Sequence, residues 1–565
     1  MQGSVKPNML KPAALAVRRA ARVSLAAGLT VAVSGAHAFD LDTGSQDVSL
    51  RWDNTIRYNY LQRMQGRDSR IELANPRSVA TNFAPNGYVF DGAEYFADKN
   101  ETISSRLDIL SELDFNYQGV FGARVSAALW HDMAFPDRPK YSPANYTSTG
   151  GHGYVNDSWS NYVKRYYEGP SGEFLDAFVF GNFNLGDTAW NVKLGRHAVI
   201  WGEGLVGSTH SVAYSQAPSD GMKSATNPGA SAKETAMPVT QLSVIGQVHP
   251  SVTVLGQYMF DWRSSRYPEG GTYFGGGNYT VVQGSGLNRG KPSEGDEGNW
   301  GVGVKWSPDW LDGTVGLFYR EFDDFNPWAA QAAPVLGVNL NISRAIYAKD
   351  VSLWGLTFSK NIGGISVGAE LSHRHNAALS SSTTSSARIT NEGAIGDTWH
   401  ALLNGVASYS TGPWGIWDTA SLVGELAWSK LDKVTENASL FRGKDPGYWA
   451  TCRTASGSIR SCYDGLYTTG TVTFTPVWQQ VLPGVDISMP LLLSSGLNGN
   501  APTNGGGSEG FKVFKIGLSA NAYARHQMDL SYTWYNQNYD KSSKRWQGPG
   551  YQDKGYLAFT YQTTF

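Results

Sequence analysis

Cysteine and charged residues are scarce in this chain. Of its 565 residues, 2 are Cys and 17% are charged, compared with roughly 25% charged residues in soluble globular proteins. Aromatic residues reach 13%, which excludes a disordered chain because such chains lack the side chains that build a core. The 46 basic and 48 acidic residues nearly cancel, and we therefore expect no nucleic-acid partner.

Long hydrophobic runs are also missing after the N-terminus. A membrane-spanning helix needs roughly 18 or more consecutive apolar residues, and the sequence contains no such window. This absence excludes a helical membrane protein.

The common catalytic motifs are absent as well. There is no His-Glu-x-x-His, no Gly-x-Ser-x-Gly and no Cys-x-x-Cys, so the sequence predicts no enzyme, no cofactor and no metal site. His373 and His375 form a single His-x-His pair. One such pair does not define a metal site, because a structural or catalytic site needs three or four ligands.

The N-terminus has the features of a secretory signal peptide. An apolar run over 23–33 precedes the small-x-small sequence of residues 36–38. The basic residues before the run, without an acidic one among them, are Lys6, Lys11, Arg18, Arg19 and Arg22. We therefore expect a signal peptide over 1–38 and a single mature domain over 39–565.

Strictly alternating segments dominate the mature chain. In 47–60 the even positions are mostly apolar, and the odd positions include Arg51, Asp53 and Arg57. Side chains alternate between the two faces of a strand, so one face is apolar and the other charged. A soluble β-sandwich is the alternative, but these segments exceed the usual five or six residues. Aromatic residues at segment ends, such as Trp52 and Tyr60, favour the girdles of an outer-membrane β-barrel.

The segments predict an all-β antiparallel barrel of eighteen strands, with sixteen as the alternative. The gaps between them alternate between short and long, as expected for short periplasmic turns and long extracellular loops. We expect 46–60 to pair with 555–565 and close the barrel. The segments are 46–60, 101–118, 121–135, 172–184, 188–200, 238–248, 252–263, 298–307, 313–322, 349–360, 364–374, 396–410, 418–430, 468–478, 485–493, 510–522, 527–536 and 555–565. The apolar face of the last strand ends on Phe565 and resembles the C-terminal signal of barrels that are assembled into the outer membrane.

Charges of both signs on the first three strands are the candidate lumen lining. They either form ion pairs that stabilise the wall or provide a polar pathway for water or a substrate. The sequence does not decide between these two interpretations. The predicted lining residues are Arg51, Asp53, Arg57, Arg106, Asp108, Glu112, Asp114 and Arg124. In contrast, the 323–348 loop is strongly apolar, so we expect it to be buried, folded into the lumen or used to bind an apolar ligand.

The two cysteines lie ten positions apart in one long loop. Cys452 and Cys462 belong to an exported chain, in which a disulfide is the default state. We expect the disulfide to be structural and to fix a surface loop.

Alternation falters at Gly195 and Arg196, within the sequence Leu-Gly-Arg-His-Ala-Val-Ile-Trp-Gly-Glu of residues 194–203. If the period continued, Arg196 would face lipid at a cost of about 2–4 kcal/mol at midplane depth. A bulge that turns Arg196 inward or a position near the rim is therefore expected. We predict that Arg196, Glu203 and Glu234 form a polar cluster that anchors the 201–237 loop over the pore.

This motif, with Ala232-Lys233-Glu234 and Pro238 about thirty residues later, resembles the outer-membrane family called domain of unknown function 1302. His197 stands where the family usually has Gln. The motif residues are Gly195, Arg196, Trp201, Gly202, Glu203, Lys233 and Glu234. The resemblance implies an outer-membrane barrel of a Gram-negative bacterium, set among outer-membrane lipids. It also implies a periplasmic or lipoprotein partner of the domain of unknown function 1329 type and an RND-type transporter.

The resemblance further implies envelope traffic of hydrophobic molecules such as lipids or steroids. The functional prediction is therefore an outer-membrane channel that passes hydrophobic or amphipathic small molecules. A general porin for hydrophilic solutes is the first alternative. A barrel without a transport role, such as an adhesin or a scaffold, is the second.

Overall fold

The structure is a computed structural model of the full chain. It describes residues 39–66, 68, 98–135, 159, 161–269, 272–275, 294–327, 333–335, 338–342, 345–381, 393–448, 462–463, 465–540, 545–546 and 548–565. The predicted signal peptide over 1–38 and Cys452 lie outside these residues, so the signal peptide and the disulfide stay predictions. Cys462 is buried.

The described residues form one closed antiparallel barrel of eighteen strands, as the alternating segments predict. We number them β1 to β18 in chain order. They are Val48–Arg63, Thr102–Tyr117, Phe121–Asp132, Ser171–Leu185, Thr188–His197, Val239–His249, Val252–Met259, Trp300–Trp306, Gly313–Phe322, Val351–Ile362, Ile365–Ala378, Ile395–Tyr409, Thr419–Glu436, Leu466–Leu482, Val485–Ser488 continued by Leu491–Asn498, Lys512–Ala522, His526–Asn536 and Tyr556–Thr564.

The barrel closes through the first and last strands. β1 pairs with β18 in the register Thr55 opposite Thr564 and Arg63 opposite Tyr556, which confirms the predicted closure. Beyond β18, the backbone of Phe565 exchanges two hydrogen bonds with Asn54. The short strand Phe39–Leu41 pairs with the beginning of β1.

Short turns and long loops alternate without exception around the barrel. We call the two ends the turn end and the loop end. The turns span 118–120, 186–187, 250–251, 307–312, 363–364, 410–418, 483–484 and 523–525, and the loops span 64–101, 133–170, 198–238, 260–299, 323–350, 379–394, 437–465, 499–511 and 537–555. Several strands run further towards the loop end than the sequence predicts. β13 reaches Glu436, because alternation fades where strands rise above the apolar band.

Helices are few and short among the described residues. They are the α-helices Asn161–Val163, Gly221–Thr226 and Ala232–Thr235, the π-helix Lys164–Glu168 and the 3₁₀-helices Pro413–Gly415 and Ala438–Leu440. Two loops contain small hairpins, Ala333–Val335 with Val338–Ile342 and Tyr539–Asp540 with Arg545–Trp546. No helix in the described ranges is long and apolar enough to cross a membrane.

The two faces of the wall have opposite chemistry. Leu129, Leu317 and Trp354 point outward and stay more than half exposed, at 51%, 54% and 55%. Inward side chains such as Arg57 and Arg106 are buried at 3% and 2%. This inversion of a soluble protein's pattern is what a lipid solvent requires.

The apolar cores lie inside the barrel at the loop end. One packs Leu61 of β1 and Ala558 of β18 against Trp159, Tyr167 and Phe274 from loops. A second combines inward side chains of β9 and β10 with Trp201, Val212 and Tyr214. Loops therefore fold into the barrel and pack there. Both ends of the apolar 323–348 loop, at Phe325 and at Ile346, are completely buried.

Candidate functional site: a loop held across the lumen

The loop between β5 and β6, residues 198–238, lies inside the barrel; we call it the inner loop. Val212 and Gln216 are fully buried. The inner loop bonds side chains of β1 and β2 on one side of the lumen and of β9 to β13 on the other. It therefore spans the lumen from wall to wall.

Two carboxylates of the wall accept backbone N–H groups of the inner loop. Glu370 of β11 accepts from Glu203, from Gly204 at 3.0 Å and from Val212 at 2.7 Å. Glu425 of β13 accepts from Leu205 at 2.6 Å and from Val206 at 3.3 Å. Hydrogen bonds to an ionised acceptor are roughly twice as strong as neutral ones, so these carboxylates fix the 203–212 backbone.

Two buried arginines bind the carbonyl side of the same loop. Arg320 of β9 donates to Tyr214 at 2.6 Å and to Ser215 at 2.7 Å. Arg374 of β11 donates to the carbonyl of Thr209 at 2.8 Å and stacks over Tyr214 at 3.9 Å. Within the described ranges neither arginine has an ion-pair partner closer than 4.0 Å. Both charges therefore act on loop backbone.

Asp324, just after β9, bonds two side chains of the inner loop. It accepts from Tyr214 Oη at 2.5 Å and from Ser215 Oγ at 2.8 Å. Burial raises the pKa of Asp324, although these hydrogen bonds oppose the shift. This residue ties the middle of the inner loop to the apolar core beneath the 323–350 loop.

A histidine pair joins the inner loop to β12 and to the 499–511 loop. The Nδ1 atoms of His210 and His400 lie 3.2 Å apart, and His210 Nε2 lies 2.9 Å from the carbonyl oxygen of Gly506. Burial, with the nearby charge of Arg374, lowers the pKa of His210 to about 4. His210 is therefore neutral at pH 7.

The far end of the inner loop is tied to β1 and β2. Glu234 makes two 3.0 Å hydrogen bonds with the guanidinium of Arg57, and Lys233 Nζ lies 2.5 Å from Glu112. Burial alone would raise the pKa of Glu234, but the hydrogen bonds and charge of Arg57 lower it overall. Ser231 and Glu234 form a capping box at the helix Ala232–Thr235.

The eight predicted lining residues all lie on the inner face of the barrel wall. They do not share one set of ion-pair partners. Arg51 bonds Asp53 at 2.8 Å, and Arg124 bonds Asp114 across β2 and β3 at 2.6 Å. Arg106 bonds Asp108 at 3.0 Å. Arg57 and Glu112 bind the inner loop instead. Only part of this set therefore faces open lumen, near the turn end.

The family-like motif does not form one cluster. Glu203 lies 3.8 Å from Lys305 of β8, and burial followed by the charge of Glu370 raises its pKa. Glu234 binds Arg57, while Arg196 Nε donates to the carbonyl of Pro238 at 3.4 Å. The predicted association of Arg196, Glu203 and Glu234 is therefore not what the structure has. The reason is that the ladder stays in register through His197, so Arg196 keeps the outward direction.

The motif glycines and tryptophan have steric roles. Gly195 and Gly202 have φ of +124° and +97°, and a Cβ on Gly202 would lie 2.5 Å from Glu370 Oε1. Trp201 is buried, with its ring 5.7 Å from that of Phe318. These residues turn the chain from the wall into the lumen.

The most important anchors were not singled out from the sequence. Glu370, Arg374, His400 and Glu425 stand on the polar faces of β11 to β13, and Arg320 stands on that of β9. Alternation alone marks these residues as inward. Their partners lie more than 100 positions away in the inner loop, which no local pattern indicates.

The inner loop exposes apolar side chains to the open part of the lumen. Leu205 and Val206 are 49% and 46% exposed although Glu425 holds their N–H groups. Ile245, on the inner face of β6, is 47% exposed. Barrel interiors are normally polar, so exposed apolar side chains inside the lumen are unusual.

At the loop end, one cluster of described residues contains side chains of the kinds that bind metal ions. Donor atoms of His373, Asp397 and Asp432 lie within 4.8 Å of one another. Asp397 already bonds His375 at 2.7 Å and Lys433 at 3.3 Å. Both oxygens of the Asp397 carboxylate are thereby already engaged by protein side chains, and we assign no metal here.

A closed eighteen-strand wall, an apolar outer face and a charged interior crossed by a loop define a transmembrane β-barrel of the outer-membrane type. The family whose model matches residues 19–565 is described as "Protein of unknown function (DUF1302)". The chain belongs to this family. None of the curated proteins compared with it matches.

Several solved structures are similar to this chain at low sequence identity. OccAB1 of Acinetobacter baumannii is 11% identical over 94% of this chain and 99% of that one, with a TM-score of 0.42. OpdK of Pseudomonas aeruginosa, solved with vanillate, is 9% identical over 91% and 98%, with a TM-score of 0.38. A BenF-like porin from Pseudomonas fluorescens Pf-5 is 10% identical over 93% and 100%, with a TM-score of 0.39. At these identities and TM-scores, the similarity does not indicate which molecules the present chain transports.

Proposed function

We propose that this protein is an outer-membrane channel for hydrophobic or amphipathic small molecules. The observation that carries the proposal is that Leu205, Val206 and Ile245 each keep an apolar side chain exposed inside the lumen. Exposed apolar area costs about 25 cal/mol per Å², and a channel for sugars or ions gains nothing from it. A hydrophobic cargo covers this surface while it passes.

The rigidity of the inner loop supports the proposal. Because Glu425 and Glu370 hold the backbone of 203–206, Leu205 and Val206 cannot withdraw into a core. A preorganised apolar surface binds its ligand without an ordering cost.

The test replaces the apolar surface without touching the anchors. Leu205→Asn with Val206→Thr should reduce transfer of a dansyl-labelled fatty acid into proteoliposomes at least about fivefold, or about 1 kcal/mol. The matched apolar-to-polar control is Leu497→Asn on the outer face, where the leucine is 54% exposed. Unchanged transfer in the lumen variant would exclude the apolar surface from the pathway.

A general porin for hydrophilic solutes is the second candidate. The charged lining near the turn end, with Arg51 54% and Arg124 35% exposed at the side chain, favours it. Ohmic conductance together with glucose permeation and no transfer of the fatty acid would support the porin.

A periplasmic or lipoprotein partner of the domain of unknown function 1329 type, with an RND-type transporter, completes the proposal. Its support is the family itself. Copurification from outer membranes followed by mass spectrometry tests both partners and the location. Recovery from the inner membrane would contradict the proposed location.

A further inference from the structure

The strand ladder has a gap at the loop end. β4 pairs with β3 from Ser171 onwards, but it pairs with β5 only from Ala177 to Leu185. β5 ends at His197, opposite Val239 at the beginning of β6. Residues 171–176 therefore have no β5 partner on one edge. An open edge is not stable in hydrocarbon, so protein or a ligand must cover it.

Ion pairs close this gap from the lumen side. Glu173 of β4 bonds Arg266 at 2.6 Å and lies 3.6 Å from Lys223 of the inner loop. Arg266 also bonds Asp220 at 2.7 Å. The charges of these four residues are matched, so they form an inner seal.

The gap lies at the depth of the apolar band. Trp190 is the first aromatic residue on the outward row of β5, and Arg196 stands six residues later on the same row. Six residues span about 20 Å along a strand, or about 15 Å along the membrane normal at the usual tilt, within an apolar band of about 25 Å. The ladder between β4 and β5 thus ends before the band does.

Two arginines without a carboxylate partner border the gap. Arg196 points outward on the row of Leu194, and among the described residues its Nε donates to the carbonyl of Pro238 at 3.4 Å. Arg263 donates to Met237 Sδ at 3.4 Å. Across the described part of the chain, neither forms an ion pair within 4.0 Å.

The two cations also repel each other. Burial lowers the pKa of Arg263, and the charges of Arg266 and Arg196 lower it further. The nearby Glu173 opposes this shift, but its carboxylate is engaged by Arg266 and Lys223. An outward cation such as Arg196 is destabilising on the lipid face when it has no counter-charge, and an anionic partner would offset that effect.

We propose that Arg196 and Arg263 bind the anionic head group of an amphipathic molecule whose apolar body lies in the gap between β4 and β6. The ligand carries a carboxylate or a phosphate, and its chain runs along outward apolar side chains. Phe174 and Leu194, 63% and 49% exposed, are the nearest of these by register. The inference rests on the proposed function, because it names the cargo as an anionic amphiphile and its route as lateral. It also gives Arg196 a role in the family motif.

The test compares a charged and an uncharged probe on purified full-length protein. Dansyl-labelled undecanoate should bind wild type, and Arg196→Gln or Arg263→Gln should weaken that binding about tenfold or more, equivalent to about 1.4 kcal/mol. Binding of the methyl ester should not change. Arg196→Lys should retain part of the affinity for the acid. Arg525→Gln, a change in the turn 523–525, should leave the binding of both probes unaffected.

Equal affinity of wild type and variants for the acid would overturn the proposal. Equal weakening of acid and ester would also overturn it, because that result reports a change of shape and not of charge. Heat-modifiable gel migration shows that each variant is folded.

Lipid extraction distinguishes the two sources of such a ligand. An anionic lipid that copurifies with wild type and is lost from the double Gln variant identifies a resident membrane lipid. Arginine-dependent binding of the added probe alone identifies cargo. The binding assay does not depend on transport, so it can still be interpreted if the transport assay fails. Binding of the acid that does not depend on Arg196 or Arg263 would contradict the inference even if transport is observed.

Discussion

At the scale of single residues, the feature that organises this lumen is a buried charge bound to backbone. Glu370, Glu425, Arg320 and Arg374 each bind N–H or C=O groups of the inner loop. A buried charge is tolerated only when it is hydrogen-bonded. Loop and wall therefore depend on each other, and a change in one charge should act on the position of the loop.

Glu370→Gln tests this dependence. The amide keeps one acceptor, but it loses the charge that receives the N–H groups of Gly204 and Val212. We expect a loss of about 1–3 kcal/mol in local stability, seen as faster hydrogen exchange over 203–212. Glu436→Gln, at the exposed loop end of β13, is the control. Equal exchange in both variants would mean that Glu370 does not hold the loop.

Gly202→Ala should disturb the entry of the inner loop. Its φ of +97° is unfavourable for alanine, and the new Cβ would lie 2.5 Å from Glu370 Oε1. The control is Gly207→Ala, because a Cβ there has nothing within 4 Å and no positive φ. We expect Gly202→Ala to alter single-channel conductance and Gly207→Ala to leave it unchanged. An altered conductance in Gly207→Ala together with an unchanged conductance in Gly202→Ala would contradict this geometry.

Acidification should loosen the inner loop at His210. Its pKa is lowered to about 4, whereas an unfolded histidine titrates near about 6.5. The loop is therefore fully stabilised above about pH 6.5 and loses stability as pH falls towards 4, by up to about 1.4 kcal/mol per pH unit. The charge of Arg374 opposes a second positive charge at this point.

Conductance noise recorded from about pH 7 to about pH 4 measures this effect. It should increase below about pH 6.5 in wild type and stay flat in His210→Gln. A pH dependence that survives in His210→Gln would assign the effect to another group.

At the scale of elements, the strands were predictable and the inner loop was not. Strict alternation from β1 to β18 depends only on which face meets lipid, so it can be read locally. The inner loop is fixed by contacts such as Gly204 with Glu370, 166 positions apart. The motif at 194–203 did indicate where the chain leaves the wall. It did not indicate that Arg196 stays outward, because that depends on the register with β4 and β6.

The topology prediction belongs to the same scale. Gly505 lies in a loop and Gly363 in a turn, and both have positive φ and open space around a Cβ. Gly505→Cys should react with a membrane-impermeant maleimide on intact cells, because long loops are expected outside. Gly363→Cys should react only after the outer membrane is permeabilised. The reverse pattern would invert the orientation of the barrel.

At the scale of the whole molecule, the two halves of the barrel differ. Loops and apolar cores fill the loop end, whereas the turn end has a partly exposed charged lining. The inner loop crosses the lumen and keeps the side chains of Leu205 and Val206 exposed there. A solute that enters from the turn end therefore meets apolar side chains and then a packed region, while the ion pair of Glu173 with Arg266 closes the gap beside β4 from the lumen side.

Disulfide trapping between the inner loop and the wall tests the central claim most directly. A Cβ on Gly229 would lie 2.9 Å from Thr560 Cγ2 of β18, which is within the range for a disulfide after a small shift. Gly229→Cys with Thr560→Cys should crosslink in intact outer membranes under mild oxidation and change gel mobility until reduced. Gly207→Cys with Thr560→Cys should not crosslink. A failure of the first pair, or equal crosslinking of both, would contradict a loop held across the lumen.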